Sequence, residues 1–472
     1  MFLRQIHDPG LAQNAYLIGC QRSGEAIVID PLRDVDQYLR IARENGFRLT
    51  AVAETHIHAD FLSGARQLVE RHRATAYLSR LGGADWQSEW AEGHEGVCTL
   101  GDGDKISIGR IEIEAVHTAG HTPEHLSYLV TDYGGGADQP VLFLTGDFIF
   151  VGDVGRPDLL ESAAGVQGMM EPSARILRES LRATRRIPGH VQILPAHGAG
   201  SACGKALGAV PSSVLDYERL FNGPFKAALE KGEEEFVAEI LHGQPEPPPY
   251  FARMKRHNKM GPKLLEGPPE PRRFAVPDLE EKAAAGGRLW FLDLREDPAG
   301  YMQRHVAGSL HCPLKGVNVS MIAGSYIEED EEIVILTESG EQVETAVRQL
   351  IRIGLDRIAG WAPAEEALQW AAGSGRLKTI ASVQGHEVPV SGVTILDVRS
   401  ATEHAEASVP GAVNIAYTRL RPRQDEIPAG GPLYVHCETG KRASAAVSFL
   451  ESLGREVVWV EGPTVGAATF AA

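Results

Sequence analysis

Thr55-His56-Ile57-His58-Ala59-Asp60-Phe61 sets two histidines and a carboxylate within five residues, where a strand read from Leu49 to Thr55 gives way to a helix read from Leu62 to His72. A single histidine in such a turn would ordinarily be a satisfied surface or core group. Three more segments of the first half end strands with the same kinds of side chain. They are His117-Thr118-Ala119-Gly120-His121-Thr122-Pro123, Thr145-Gly146-Asp147 and Pro195-Ala196-His197-Gly198. Imidazole and carboxylate in this number are what a first-row metal needs. Loops gathered at one edge of packed sheets could bring the four segments together.

Working outward, short β-rich runs alternate with amphipathic helices. Ala26 to Asp30 reads as a buried strand, Val35 to Glu44 as a helix with Gly46 as its stop, and Ile111 to His117 as a later strand. A chain of 472 residues is too long for one core and predicts roughly two to four domains. No uninterrupted apolar run is long enough to span a bilayer. The start, Met1 to His7, alternates like a strand and lacks the apolar core of a signal peptide, so a cytoplasmic location is expected. A formal net charge of −17 would repel nucleic acid and anionic membranes at long range, and neither is expected as a partner. Small anionic substrates need only a local positive pocket. The five cysteines, Cys20, Cys98, Cys203, Cys312 and Cys437, show no C-x-x-C spacing, which argues against a disulfide framework.

From about Gln244 the character changes. Pro245-Glu246-Pro247-Pro248-Pro249 and Gly267-Pro268-Pro269-Glu270-Pro271 bracket a basic stretch, and 244–273 reads as a connector that wraps or spaces domains. Beyond it the sequence repeats. Phe291 to Glu296 (F-L-D-L-R-E) returns as Ile395 to Ser400 (I-L-D-V-R-S), and Ile333 to Gly340 returns as Leu433 to Gly440. Strand, helix, strand, then a loop entering a helix is the alternation of a small parallel α/β domain, here present in two copies. In the second copy, Cys437-Glu438-Thr439-Gly440-Lys441-Arg442 places a thiol between a strand and the helix Ala443 to Leu453. Successive backbone N–H groups there favour a thiolate and then a persulfide. The first copy has Thr337-Glu338-Ser339-Gly340-Glu341-Gln342 instead, with no thiol and two glutamates that would oppose an anion. Cys312 matches a packing region around Ile415 and is expected to be buried structure.

The four histidine–aspartate segments, in this order, resemble the metal motifs of the metallo-β-lactamase superfamily, and the C-x-x-G-x-R loop resembles that of rhodaneses. The implied fold is α/β multidomain: an αββα metallo-β-lactamase sandwich over 1–243, the Pro-rich linker 244–273, a pseudo-rhodanese domain over 274–375 and an active rhodanese domain over 376–472. Two-metal hydrolases of the superfamily carry a histidine directly after the motif aspartate, where this chain has Phe61. Resemblance to the persulfide dioxygenase (sulfur dioxygenase) branch implies one Fe(II) per chain held by His56, His121 and Asp147. A zinc site that adds His58 is the alternative. His58, Asp60 and His197 would orient ligands and water. Arg156, within a segment similar to that branch, would meet an anionic substrate group. Cys203 would be a sulfur carrier, Cys437 the catalytic thiol, and Gly440, Lys441 and Arg442 its substrate-binding loop. The implied partners are a low-molecular-weight persulfide, O₂ and sulfite or thiosulfate, and a homo-oligomer is allowed. The rival reading is a glyoxalase II-like thioester hydrolase fused to a sulfurtransferase.

Overall fold

Period-two burial along the first strands decides the layers. On Gln13–Cys20 and Glu25–Ile29, Leu17, Ala26 and Val28 join a core with helices, whereas Tyr16, Ile18, Ile27 and Ile29 join a core with a second sheet. The computed structural model describes residues 1–162, 168–315, 319–389 and 392–462, and the chain divides into two units, Met1–Gly267 and Pro268–Ala472. In the first unit, six strands run in chain order from Phe2–Asp8 to Val97–Leu100, antiparallel at the start and parallel from Glu25–Ile29 onward. The facing six-stranded sheet has Leu142–Gly146 and Leu126–Asp132 at its centre. Helices Asp36–Glu44 and Ala65–His72 cover the first sheet; Met170–Ala183, Gly223–Glu230 and Glu233–Leu241 cover the second. This is the expected αββα sandwich. The second helix begins at Ala65 rather than Leu62; Gly64 caps it, packed against the Leu32 carbonyl with no room for a Cβ, and the Ser63 hydroxyl accepts Ala65 N–H (2.9 Å).

The sheets are tied together at one edge. Asn14 N–H donates to the Ala196 carbonyl (2.7 Å), and the Tyr16 hydroxyl donates to the Pro195 carbonyl (2.7 Å). Glu54–Asp60, Thr118–Thr122, Asp147 and His197 all leave strands at this edge. The stretch 244–273 contributes a helix, Tyr250–Met260, that packs on the first unit. Arg33 reaches the Lys263 carbonyl through Nη2 (2.7 Å) in the same way.

The second unit shows the repeat as two parallel sheets of matching order. In the first copy Ser309–His311, Leu289–Asp293, Glu332–Thr337 and Ile358–Pro363 lie side by side; in the second the order is Val413–Asn414, Thr394–Asp397, Leu433–His436, Val457–Glu461, then Ala381–Gln384. Each first motif strand ends in one ion pair, Arg295 on Asp293 (2.7 Å) and Arg399 on Asp397 (2.7 Å). Residues 463–472 of the second copy's expected span lie outside the described residues. Among the described residues no helix is long and apolar enough to cross a membrane.

Candidate metal centre and sulfur loop

The turn after Arg48–Ala53 is shaped by Asp30, a non-glycine residue in the left-handed region (φ +51°). Its carboxylate accepts Thr55 N–H (2.7 Å) and the Thr55 hydroxyl (2.9 Å). Having donated to Asp30, that hydroxyl accepts from His56 Nδ1 (2.9 Å), which leaves Nε2 of His56 as the lone-pair nitrogen. His121 is fixed the same way: Nδ1–H donates to the Arg156 carbonyl (3.1 Å), and Nε2 lies 3.5 Å from Asp147 Oδ2. Burial holds both rings neutral, pushing His56 well down and His121 to about 3. The donor atoms of His56, His121 and Asp147 lie within 4.8 Å of one another, all buried.

Asp147 tests whether this group fits a metal. Neither of its carboxylate oxygens has a hydrogen-bond partner of ordinary geometry, and burial pushes the carboxyl up to about 6. A carboxylate facing two imidazole lone pairs without a donor is unfavourable, and a cation between them removes the conflict. The residues fit a metal.

A second buried group, Asp60, His197 and Cys203, adjoins the first, its candidate atoms also within 4.8 Å of one another. His197 Nε2 lies 3.3 Å from Asp60 Oδ2 and 3.5 Å from Asp147 Oδ1. Burial, reinforced by Asp60 and Asp147, pushes the Cys203 thiol well up, and burial pushes the Asp60 carboxyl to about 6. His58 is turned elsewhere. Its Nε2 sits between Asp30 Oδ1 (3.1 Å) and Glu54 Oε2 (2.9 Å), and its ring stacks on Phe61 at 4.3 Å between centroids. Against burial, the two carboxylates hold His58 protonated, which makes it an anchor for the turn. Asn258 completes the grip from outside, donating through Nδ2 to the carbonyls of His58 (2.8 Å) and Phe61 (2.7 Å).

Two outcomes differ from the sequence reading. Arg156 was expected to meet substrate, but its guanidinium is consumed by Asp158 (3.0 and 2.7 Å), the Ala202 carbonyl (3.0 Å) and the Pro245 carbonyl (2.6 Å). It therefore secures the Cys203 loop while its own carbonyl orients His121. His125 carried no expectation, yet its Nε2 accepts Asp147 N–H (3.1 Å) and its ring stacks on His56 at 5.1 Å. The spacing His121-x-x-x-His125 just before strand Leu126–Asp132 was the available signal. Gly146 (φ +54°) is required beside it, since a Cβ there would stand 2.6 Å from His125 Nε2.

Cys437 lies between strand Leu433–His436 and helix Lys441–Ser452, fully buried, with Sγ accepting Ala443 N–H (3.3 Å). Gly440 takes φ +80°, and its carbonyl accepts Trp459 Nε1–H (2.9 Å). Lys441 is the half-buried first residue of the helix. The expected anion-binding role of Arg442 is narrowed, because Nη1 and Nη2 each bond Glu403 at 2.7 Å. Cys312 is fully buried with its thiol pushed up by that burial, as expected of a packing residue.

Residues 8–197 match the metallo-beta-lactamase superfamily and residues 384–464 the rhodanese-like domain. The chain is similar to persulfide dioxygenase ETHE1, mitochondrial, of Bos taurus, at 30% identity over 201 residues, 42% of this chain and 68% of that protein. It is also similar to a hydroxyacylglutathione hydrolase of a Polaromonas species, at 31% identity over 238 residues, 47% of this chain and 78% of that protein. A solved metallo-beta-lactamase from Staphylococcus aureus subsp. aureus COL aligns with TM-score 0.67 at 38% identity, covering 77% of this chain and 99% of that one. By sandwich, site and sequence alike, the chain belongs to the metallo-β-lactamase superfamily, with persulfide dioxygenases among its relatives, and it carries a rhodanese-like domain in its C-terminal part.

Proposed function

We propose that the first unit oxidises a low-molecular-weight persulfide with O₂ at one iron held by His56, His121 and Asp147, and that Cys437 carries sulfur between persulfide, sulfite and thiosulfate. The supporting observation is a buried group of two neutral histidines and one unpartnered carboxylate, in a chain that also seats a cysteine at a helix N-terminus. Similarity to the persulfide dioxygenase of Bos taurus supports the first half, and the rhodanese-like match supports the second.

Iron(II), if held by His56, His121 and Asp147, would bind substrate and O₂ and supply electrons. The overall change would be R–S–S⁻ + O₂ + H₂O → R–SH + SO₃²⁻ + H⁺. The chain's own groups prepare it. Hydrogen bonds to the Thr55 hydroxyl and the Arg156 carbonyl aim Nε2 of His56 and His121. Phe61, wholly buried and stacked on His58, offers no further donor atom after Asp60. Asp60, with its carboxyl near 6, can take the released proton at Oδ2 beside His197 Nε2. Once its proton has passed to Asp60, Cys203 would attack the outer sulfur of R–S–S⁻, breaking that S–S bond to leave Cys203–S–S⁻ and R–S⁻. In the second unit the step is Cys437–S–S⁻ + SO₃²⁻ → Cys437–S⁻ + S₂O₃²⁻, with Ala443 N–H stabilising the returning thiolate. The tether raises the effective concentration of the coupled sites.

The test is oxygen uptake by anaerobically Fe(II)-loaded protein given glutathione persulfide, beside Cys437→Ser, with sulfite and thiosulfate quantified. Stoichiometric O₂ loss, with the sulfite-to-thiosulfate ratio altered in the variant, is expected. Absence of uptake with every persulfide tried, together with thioester cleavage and two zinc ions per chain, would move the chain to the hydrolases it also resembles.

A further inference from the structure

The helix after Cys437 buries polar side chains along one face. Ser444, Ser448 and Glu451 stand on the same side of Lys441–Ser452, and both serines are fully buried. The first copy of the repeat, which has no loop thiol, receives this face. His311 N–H donates to Ser448 Oγ (2.9 Å), Gly308 N–H to Glu451 Oε2 (3.4 Å), and His311 Nδ1 lies 2.8 Å from Ser444 Oγ. Nε2 of His311 is 3.0 Å from the Arg295 carbonyl, which can only accept, so Nε2 carries the hydrogen. Burial pushes the ring down to about 4, so near neutral pH Nδ1 is an acceptor that shares the Ser444 hydroxyl hydrogen with the Lys441 carbonyl, itself 2.8 Å from Ser444 Oγ. Tyr301 stacks on His311 at 4.5 Å between ring centroids.

Ser444 stands in the turn that matters for the thiol. Its own N–H closes on the Gly440 carbonyl (2.8 Å), and the preceding Ala443 N–H is the donor to Cys437 Sγ (3.3 Å). A second strut from the same copy, the Tyr326 hydroxyl on the Tyr417 carbonyl (2.5 Å), holds the segment whose side chain interacts electrostatically with Cys437 and Arg442. Displacing this turn by a fraction of an ångström would weaken the donor that stabilises a thiolate or persulfide.

We propose that His311, in the copy without a thiol, is a positioning residue for the Cys437 loop, acting through Ser444 on the helix turn that offers Ala443 N–H to the sulfur. The proposal rests on the reading of Cys437 as the sulfur-accepting group. The experiment uses the full chain and measures thiosulfate-to-cyanide sulfur transfer. Alongside it, the pH profile of Cys437 alkylation by iodoacetamide is read on its own peptide by mass spectrometry, because Cys98 is exposed. Ser444→Ala and His311→Ala should each lower kcat/KM for thiosulfate by roughly tenfold and move the alkylation midpoint to higher pH, with oxygen uptake unchanged. His311→Asn, which can still accept near the Nδ1 position, should recover most of the rate. Folded Ser444→Ala with a wild-type profile and wild-type kcat/KM overturns the proposal. That variant decides the matter even if His311→Ala fails to fold, since alanines already occupy Ala443, Ala445 and Ala446 beside it. Cys437→Ser is the separate control. If it keeps turning over thiosulfate, the underlying reading of Cys437 falls, whereas a dead Cys437→Ser beside unaffected Ser444 and His311 variants removes the positioning role alone.

Discussion

Thr337–Gln342 and Cys437–Arg442 leave matching parallel strands and enter matching helices, yet they treat their own amide hydrogens in opposite ways. In the first loop Gln342 Oε1 folds back and accepts Glu338 N–H (3.2 Å), Ser339 N–H (3.4 Å) and the Thr337 hydroxyl. The cradle is filled from within by a neutral oxygen. In the second loop the equivalent side chain is Arg442, drawn aside by Glu403, and the helix start serves the Cys437 sulfur instead. Each loop rests on a tryptophan of the next strand, Trp361 or Trp459, so the frame is shared. The first copy has therefore changed at two places. It has no thiol, and it has a plug where an anion would sit.

The largest expected effect that could break this comparison is Cys437→Ser, which should lower thiosulfate turnover by at least about a thousandfold while the first loop supplies no residual activity. Activity surviving in that variant would mean the plugged loop is competent after all. Next comes a matched pair of glycines. Gly440 has φ +80° and a Cβ would stand 2.8 Å from Trp459, whereas at Gly340 the backbone is right-handed (φ −60°) and the nearest Trp361 atom is 3.3 Å away. Urea unfolding should show Gly440→Ala costing about 2–3 kcal/mol and Gly340→Ala about 1 kcal/mol or less. Equal costs would show that the two loops are strained alike. Third, Thr337→Cys alone should alkylate slowly, and adding Gln342→Arg should speed it by about tenfold by withdrawing the plug. Equal rates in single and double variants would show that the plug is not what closes the loop.

The smallest effect concerns Glu403. Burial alone would raise its carboxyl, but the Arg442 hydrogen bonds outweigh it and hold Glu403 at about 2 against an ordinary 4.5. A depressed folded value means the pair's contribution is complete above the ordinary value and is lost as pH falls toward 2. Thermal melts of wild type and Glu403→Gln should therefore differ by a constant gap above about pH 5 that closes in acid, a gap worth about 1 kcal/mol for a pair that is only partly buried. A gap that widens in acid would contradict the assignment.

Much of this was legible in residues that repeat a pattern. His56, His121, Asp147 and His197 each stand just past a strand end, so a layered fold had to bring them to one edge. The repeated D-x-R motifs showed the repeat, and in each copy they prove to form an ion pair. What escaped depended on partners distant in sequence. Nothing near Arg156 announces that the Ala202 and Pro245 carbonyls will consume its donors. The clamp of Asp30 and Glu54 on His58 needs two parallel strand ends to lie side by side, which the register of Glu25–Ile29 on Arg48–Ala53 supplies. The proline-flanked stretch looked like a connector because its prolines are at its ends, while Tyr250–Met260 between them is free to be helical.

Asn258 carries a consequence for how such chains are delimited. The superfamily match ends at residue 197, yet this amide holds two carbonyls of the turn that carries His56 and His58 from well beyond that point. A gene fragment trimmed to the matched region would encode His56, His121 and Asp147 and still release the turn that carries the first of them. Inherited chemistry and mechanical integrity thus end at different residues. A comparison that counts only shared donors would overrate a shortened relative that lacks the tail needed to keep them still.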